Sequence, residues 1–452
     1  MSEPTRPTRL LPLRQLGLIS VYWFGINAVW GGYEWFGQTQ VELIVGQDSR
    51  GLTIGLLEAL GALVAIVVVP TVGSLSDYTS SRFGKRKGYI ISGAFFDLLF
   101  LTGLALIARA EPAGWSEAGG PALGTPAVMA VYALLFLGLQ FSSNVAQGPY
   151  QGFVPDLVAE PQVGLASGAV GVMRVGGLIG GALIMMIGAA FDAWGLALFA
   201  IAVTEFVLAA LTFAFVDNGP PAKPREGRSW TAVAREAWGL DVLREPSFLR
   251  MTLVRLLFLM GTGIFINISA WYLRDSLGQT DTDRTTWGII ALGASALATL
   301  VAAIPAARLS DRTGRKPVIW AACLVAAIGL AVMAAAPNPP VAVAGVFLMG
   351  LGSGAYIAVD WALMTETIPR VTSGRYMGLA NIANSISGPL GLLLAGTFII
   401  DRFTEAGLIE LGPRAAILLG MPALAVAAVV LIGVHPRRDP RDDAAPRKAK
   451  AT

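Results

Sequence analysis

Twelve runs of apolar residues, each close to the length that crosses a bilayer, leave this chain few ways to fold. At about 20 residues per span, they fall at roughly 15–38, 52–72, 88–108, 127–149, 164–190, 194–216, 248–273, 286–307, 317–336, 340–364, 375–400 and 413–434. With 54% hydrophobic and 14% charged residues among 452, there is too little polar surface to cover a soluble globule, so the excess must face lipid. Glycine, at 53 residues, exceeds its usual share of about 7%, which suits helices whose backbones approach closely. The expectation is an all-α membrane protein of twelve transmembrane helices.

The charged residues say how those helices are strung. Two cation-rich segments, Gly73 to Asp77 running into Arg82-Phe-Gly84-Lys85-Arg86-Lys87, and Arg308 to Lys316 with Asp311, Arg312, Gly314 and Arg315, each lie between two spans. Such loops cannot sit in hydrocarbon and are expected at the cytoplasmic surface. Alternating the spans places 25 Lys and Arg on that side against 6 on the other, so both termini are expected in the cytoplasm. Arg6, Arg9 and Arg14 precede a stretch too long for a signal core and lacking a small-residue cleavage pattern, so no cleavable signal is expected. Cys323 is the only cysteine, which excludes an internal disulfide, and the only histidine, His435, lies at the end of the last span.

The chain reads as two halves, an N-terminal six-helix bundle over 1–216 and a C-terminal one over 248–436. Between them lies a linker, 217–247, holding Pro220, Pro221, Pro224 and the Trp230 and Trp238 pair, expected to form a short amphipathic helix at headgroup level. A basic tail, 437–452, is expected to lack fixed structure. A shift of 210 residues lays Asp156, Gly164 and Gly168 on Glu366, Gly374 and Gly378, a further sign of duplication.

The paired loops resemble the signature of the major facilitator superfamily, twice at the proper places, with Ala307 standing for the leading Gly of the second copy. The longer spacer from Asp77 to Arg82 is similar to that of the glycoside-pentoside-hexuronide:cation symporters and sucrose transporters. Asn144-x-x-Gln147-Gly-Pro149 followed by Asp156 is similar to the sucrose group, where Gln151 stands in place of an Arg. The resemblance implies two pseudo-symmetric six-helix bundles with a substrate site near the midplane between them. It also implies a gating role for Gly73, Asp77, Arg82, Gly84, Arg86, Asp311, Arg312, Gly314 and Arg315. Asp77 and Asp311, at helix ends, are expected to pair with Arg86 or Arg315, or to accept from the backbone N–H groups of a neighbouring helix, as a latch on one access state.

A charge at mid-membrane costs at least about 2.5–3.5 kcal/mol on insertion scales, so each one needs a partner or a wet cavity. Arg174 lies roughly 15 Å into the fifth span at 1.5 Å per residue, deeper than any other cation. It is expected to contact substrate or a carboxylate, against a structural ion pair with Asp97 or Glu205. Glu34 and Glu58, in the outer third of the first two spans, are candidates for holding a coupling proton; the alternative for Glu34 is the interface beside Trp35. Asp360, flanked by Tyr356 and Trp361, shares a depth with Arg255, as a gating or binding pair or a static salt bridge. Asp97 and Glu205 read as structural contacts. The neutral lining is expected from Asn27, Trp30, Tyr33, Asn144, Gln147, Asn267, Asn381 and Asn384, amides and aromatic faces suited to a hydroxylated solute.

Together these features point to a secondary transporter of a small polar solute, a sugar or glycoside, coupled to a proton or sodium gradient. A drug or metabolite exporter is the alternative, since Gly176-Gly-Leu-Ile-Gly180-Gly181 partly resembles the antiporter motif of drug exporters. A non-transporting assembly factor of the same fold is the third reading. No phosphate-binding loop is present, which argues against a nucleotide-driven pump, and nothing suggests an enzyme. No cofactor, metal or nucleic-acid partner is expected; the partners are a small-molecule substrate and the bilayer of a bacterial inner membrane, around a monomer.

Overall fold

A computed structural model describes residues 9–108, 125–225, 227–236, 245–367 and 373–435. The described residues are helical apart from short connections. Twelve long helices are labelled α1 (Tyr22–Val45), α2 (Arg50–Asp77), α3 (Lys87–Leu106), α4 (Thr125–Tyr150), α5 (Val163–Ala190), α6 (Trp194–Phe215), α7 (Pro246–Trp271), α8 (Asp281–Thr313), α9 (Arg315–Ala335), α10 (Pro339–Thr367), α11 (Ser373–Ala395) and α12 (Leu411–Ile432). Of these, α1, α2 and α8 extend a turn or more past the apolar runs, because an amphipathic end remains helical after it leaves the hydrocarbon. A separate short helix, Leu13–Ser20, precedes α1 and replaces the start expected for a single first span.

Among the described residues, eleven helical segments are long and apolar enough to cross a membrane. The exception among the twelve, α1, carries Asn27, Glu34, Gln38, Gln40 and Glu42. It can do so because it is the central helix of its bundle: Tyr22, Ala28, Val29, Tyr33, Trp35, Phe36 and Val41 are all buried. The other helices turn Leu106, Leu134, Val172, Leu196, Leu300, Ile304, Leu324 and Val429 outward as an exposed apolar belt, and the protein is an integral multi-pass membrane protein.

α1 and α5 pack at backbone distance, and glycine permits it. A Cβ at Gly177 or Gly181 would collide with the carbonyl oxygen of Phe24 or Ala28. The glycine run that resembles an antiporter motif thus has a packing role in this bundle. The two signature loops share a backbone feature, since Gly84 and Gly314 both adopt φ +87°, where a side chain would be strained.

The linker follows the first bundle. Lys223 N–H donates to the Asp77 carbonyl (2.8 Å), Arg228 donates to the Tyr78 hydroxyl (3.0 Å), and the short helix Trp230–Glu236 meets α2 through the Ser74 hydroxyl and Val233 carbonyl (3.3 Å).

Candidate functional site

Between the bundles lies a cavity of about 350 Å³, lined by Trp23 on α1, Ile66, Val69 and Pro70 on α2, Gln147 on α4, Gln151 and Val154 just beyond it, Ser167 and Arg174 on α5, and Asn384 and Ser385 on α11. It opens beside the face that carries the signature loops. Arg174 lines it, with its guanidinium carbon 4.8 Å from the Trp23 ring centroid. Neither Asp97 nor Glu205 reaches it, and it makes no ion pair among the described residues.

Those two carboxylates are occupied elsewhere. Asp97 on α3 and Glu205 on α6 are fully buried; Asp97 accepts from Ser142, and Glu205 from the Tyr22 hydroxyl (3.0 Å).

Across the cavity, Arg255 on α7 pairs with Asp360 on α10 (3.3 Å), and its Nε donates to Asn384 Oδ1 (2.8 Å). The Tyr356 hydroxyl donates to Asp360 (2.8 Å), and its ring stacks on Phe258 at 3.8 Å. Asp360 and Tyr356 therefore stand behind the wall and hold Arg255, which in turn bonds Asn384 of the lining.

The remaining candidates divide by position. Trp23, Asn27, Trp30 and Glu34 follow at helical spacing on α1, and Glu58, Ala62, Ala65 and Val69 do so on α2, so both acids ride on stripes that begin in the cavity wall. By helical rise they lie roughly 16 Å and 10 Å beyond it. Each is half-buried without a hydrogen bond or ion pair among the described residues, and the two are near enough to repel each other. Beside them the Tyr33 and Tyr132 hydroxyls share a hydrogen bond (2.8 Å). Asn27 and Asn267 donate to their own helices, at the Trp23 and Gly263 carbonyls (2.8 and 2.9 Å), and Asn144 to the Gln140 carbonyl (2.6 Å). The Asn381 side chain lies outside the described residues.

In the first signature loop, Arg86 is the hub. Its Nη2 meets Asp77 (2.8 Å), its Nε meets Asp156 (2.7 Å), and its Nη1 donates to the Pro149 carbonyl (3.1 Å); Lys85 adds a pair with Asp156 (2.9 Å). Among the described residues, every partner of Asp77 and Arg86 belongs to the first bundle or the linker. Arg82 lies exposed over Phe83, and Gly73 faces Gly148 where α2 and α4 cross. In the second copy Asp311 and Arg312 are exposed, and a shallow depression runs past Asp311, Gly314 and Arg315.

The opposite face is shut, and among the residues that shut it the sequence reading had only counted Arg50 and Arg274, as two of the six cations of that side. Arg50, with no exposed surface, pairs with Glu42 (3.1 Å) and with Asp275 of the second bundle, and lies over the Trp271 ring (4.7 Å). Arg274 closes the ring of charges on Glu42 and Asp275, each at 2.7 Å. Asp401, following α11, accepts from the backbone N–H groups of Gly51 (2.9 Å) and Leu52 (2.7 Å) at the start of α2. Gln38 accepts from Ala270 N–H (3.1 Å), and Trp271 Nε1–H donates to the Gln38 carbonyl (3.3 Å). The signal in the sequence was an Arg opening α2 close after an acid, Glu42, near the end of α1.

A bundle of twelve helices in two halves, with paired signature loops and a polar cavity at the seam, has the architecture of a major facilitator protein. The crystal structure of the nucleoside transporter NupG shares this fold, with a TM-score of 0.66 at 14% identity over 93% of this chain and 99% of that one. Residues 251–452 match the family model described as Major Facilitator Superfamily. That match covers the second half of the chain, while the fold shared with the nucleoside transporter extends over nearly all of it. Among curated proteins, the minor myo-inositol transporter IolF of Bacillus subtilis (strain 168) is 32% identical over 105 residues, 23% of this chain and 24% of that protein. The sucrose transport protein SUC4 of Arabidopsis thaliana is 29% identical over 97 residues, 22% of this chain and 18% of that protein. These alignments span about a quarter or less of either relative's length.

Proposed function

We propose that the protein is a secondary transporter that carries a small polar solute, of the sugar or glycoside kind, across a bacterial inner membrane by rocking of its two bundles. The observation that carries this reading is the pairing of a cavity open on one face with a seam of inter-bundle bonds on the other, which is what one access state requires. The cation count supports placing the open face, and both termini, in the cytoplasm, so the state is inward-facing. The cavity volume falls in the range that holds small ligands, and relatives named for myo-inositol and sucrose transport support a hydroxylated cargo.

Glu34 and Glu58 are the groups suited to carry a coupling proton, being partly dry, unpaired and on the route from the closed face to the cavity. Sodium remains the other coupling ion. Arg174, Gln147 and Asn384 are the solute contacts, with Arg255, Asp360 and Tyr356 holding the second wall. The protein is proposed to act as a monomer.

Purified protein in liposomes, given labelled myo-inositol, glucose, sucrose, glucuronate and gluconate under an imposed proton or sodium gradient, should accumulate at least one of them, and an ionophore should abolish the accumulation. Expulsion of a lipophilic cation with no sugar movement would favour the exporter instead. No movement of any solute would leave the assembly factor.

A further inference from the structure

We infer that the cargo is a monoanion, a small carboxylic acid on a polar or hydroxylated body, seated with its carboxylate on Arg174. This rests on the transporter reading and narrows the solute of the same cavity.

The charge balance of the wall carries the inference. Among the described residues that line the cavity there is one ionised side chain, Arg174, and no carboxylate. The second arginine at the seam, Arg255, is already matched by Asp360, so it adds no net charge to the pocket but does repel Arg174 across it. Asp97 and Glu205, within the same bundle, accept from Ser142 and Tyr22 respectively. Glu34 and Glu58 lie turns away along α1 and α2. The guanidinium thus has only the Trp23 ring as a described partner, and a ring face leaves the edge donors of the fork free.

While the cavity is wet, water balances that charge. Alternating access requires the cavity to close around its cargo, and closure strips the water away. A neutral sugar would leave a bare cation in a dry site at mid-membrane. A carboxylate would neutralise it through two parallel N–H···O bonds, the geometry that the guanidinium fork matches. The remaining wall accommodates such a molecule: Gln147, Gln151 and Ser167 offer donors and acceptors around the fork, and Ile66, Val69, Pro70 and Ile382 offer an apolar floor. A dianion would carry one charge more than the described part of the wall provides.

The test uses acids paired with neutral partners of similar shape: D-glucuronate with D-glucose, D-gluconate with sorbitol, benzoate with benzamide. Binding to the purified full-length protein is followed by thermal melting at matched ionic strength, with phosphate as a dianion control. The expected result is that at least one acid binds about tenfold or more tightly than its partner, as one charge-assisted contact implies. Arg174→Gln should erase the difference, and Arg174→Lys should keep part of it. Equal binding of acid and neutral partner throughout, binding of none of the acids, or unchanged discrimination in Arg174→Gln would each overturn the inference. The wild-type comparison decides even if the Gln variant does not fold. Gradient-driven uptake of glucose without acid preference would overturn this inference while leaving the transporter reading standing; absence of all uptake would instead remove the transporter.

Discussion

Gly152 lacks a side chain because Arg86 occupies the space where one would be. A Cβ there would run into the guanidinium that joins Asp77, Asp156 and the Pro149 carbonyl. Gly152→Ala should therefore lower stability by about 1–3 kcal/mol, the usual cost of overpacking, with Arg86 displaced from both carboxylates. Thermal melting would report the loss, and Arg86→Ala in the same background should add little, because the hub is already broken. Pairing of Asp77 with Arg86 was legible in the sequence, since motif spacing brings them nine residues apart. Gly152 was not, because its reason lies in a side chain from another helix. Arg174 was found by depth alone, while its Trp23 partner is a property of how α5 leans on α1.

At the scale of elements, the start of α2 has no cap from its own chain neighbour, Ser49, and takes one from Asp401 in the other bundle. A carboxylate on two free N–H groups is the latch the sequence suggested for Asp77, but it is built on the opposite face by a residue that composition could not single out. Asp401→Asn keeps the size and weakens the bond. It should shift the balance of states toward opening of that face by about 1–3 kcal/mol, roughly 5- to 150-fold in population. A cysteine placed at Leu393, whose backbone packs on Gly55, should then react correspondingly faster with a maleimide; an unchanged rate would show that the cap does not hold the face shut. Helix number and order were readable from the apolar runs. The break at Val21 and the long polar ends were not, since a helix stays a helix once its neighbours, rather than lipid, surround it.

For the whole molecule, the duplicated plan was legible from two loops, and the structure places both signature glycines at the same φ. The seam was not legible, because contacts such as Gly51 on Gly396 and Gly288 on Trp35 join residues hundreds of positions apart. If the bundles rock, the cavity walls must approach each other in every cycle. Cysteines at Ser167 and Ser385, joined by a reducible bis-maleimide across the cavity, should stop solute movement, and reduction should restore it. The native Cys323 is buried at 4% exposure and should stay silent in such work; labelling of the unaltered protein would show otherwise.

The loan of Asp401 to a helix of the other bundle sets a condition on the swing. Parting the closed face takes a carboxylate away from two amides, and only solvent can replace it there. Opening is thus in part a hydration reaction, and its equilibrium should follow water activity: a polymer too large to enter the seam, by drawing water out, would press the protein toward the state described here.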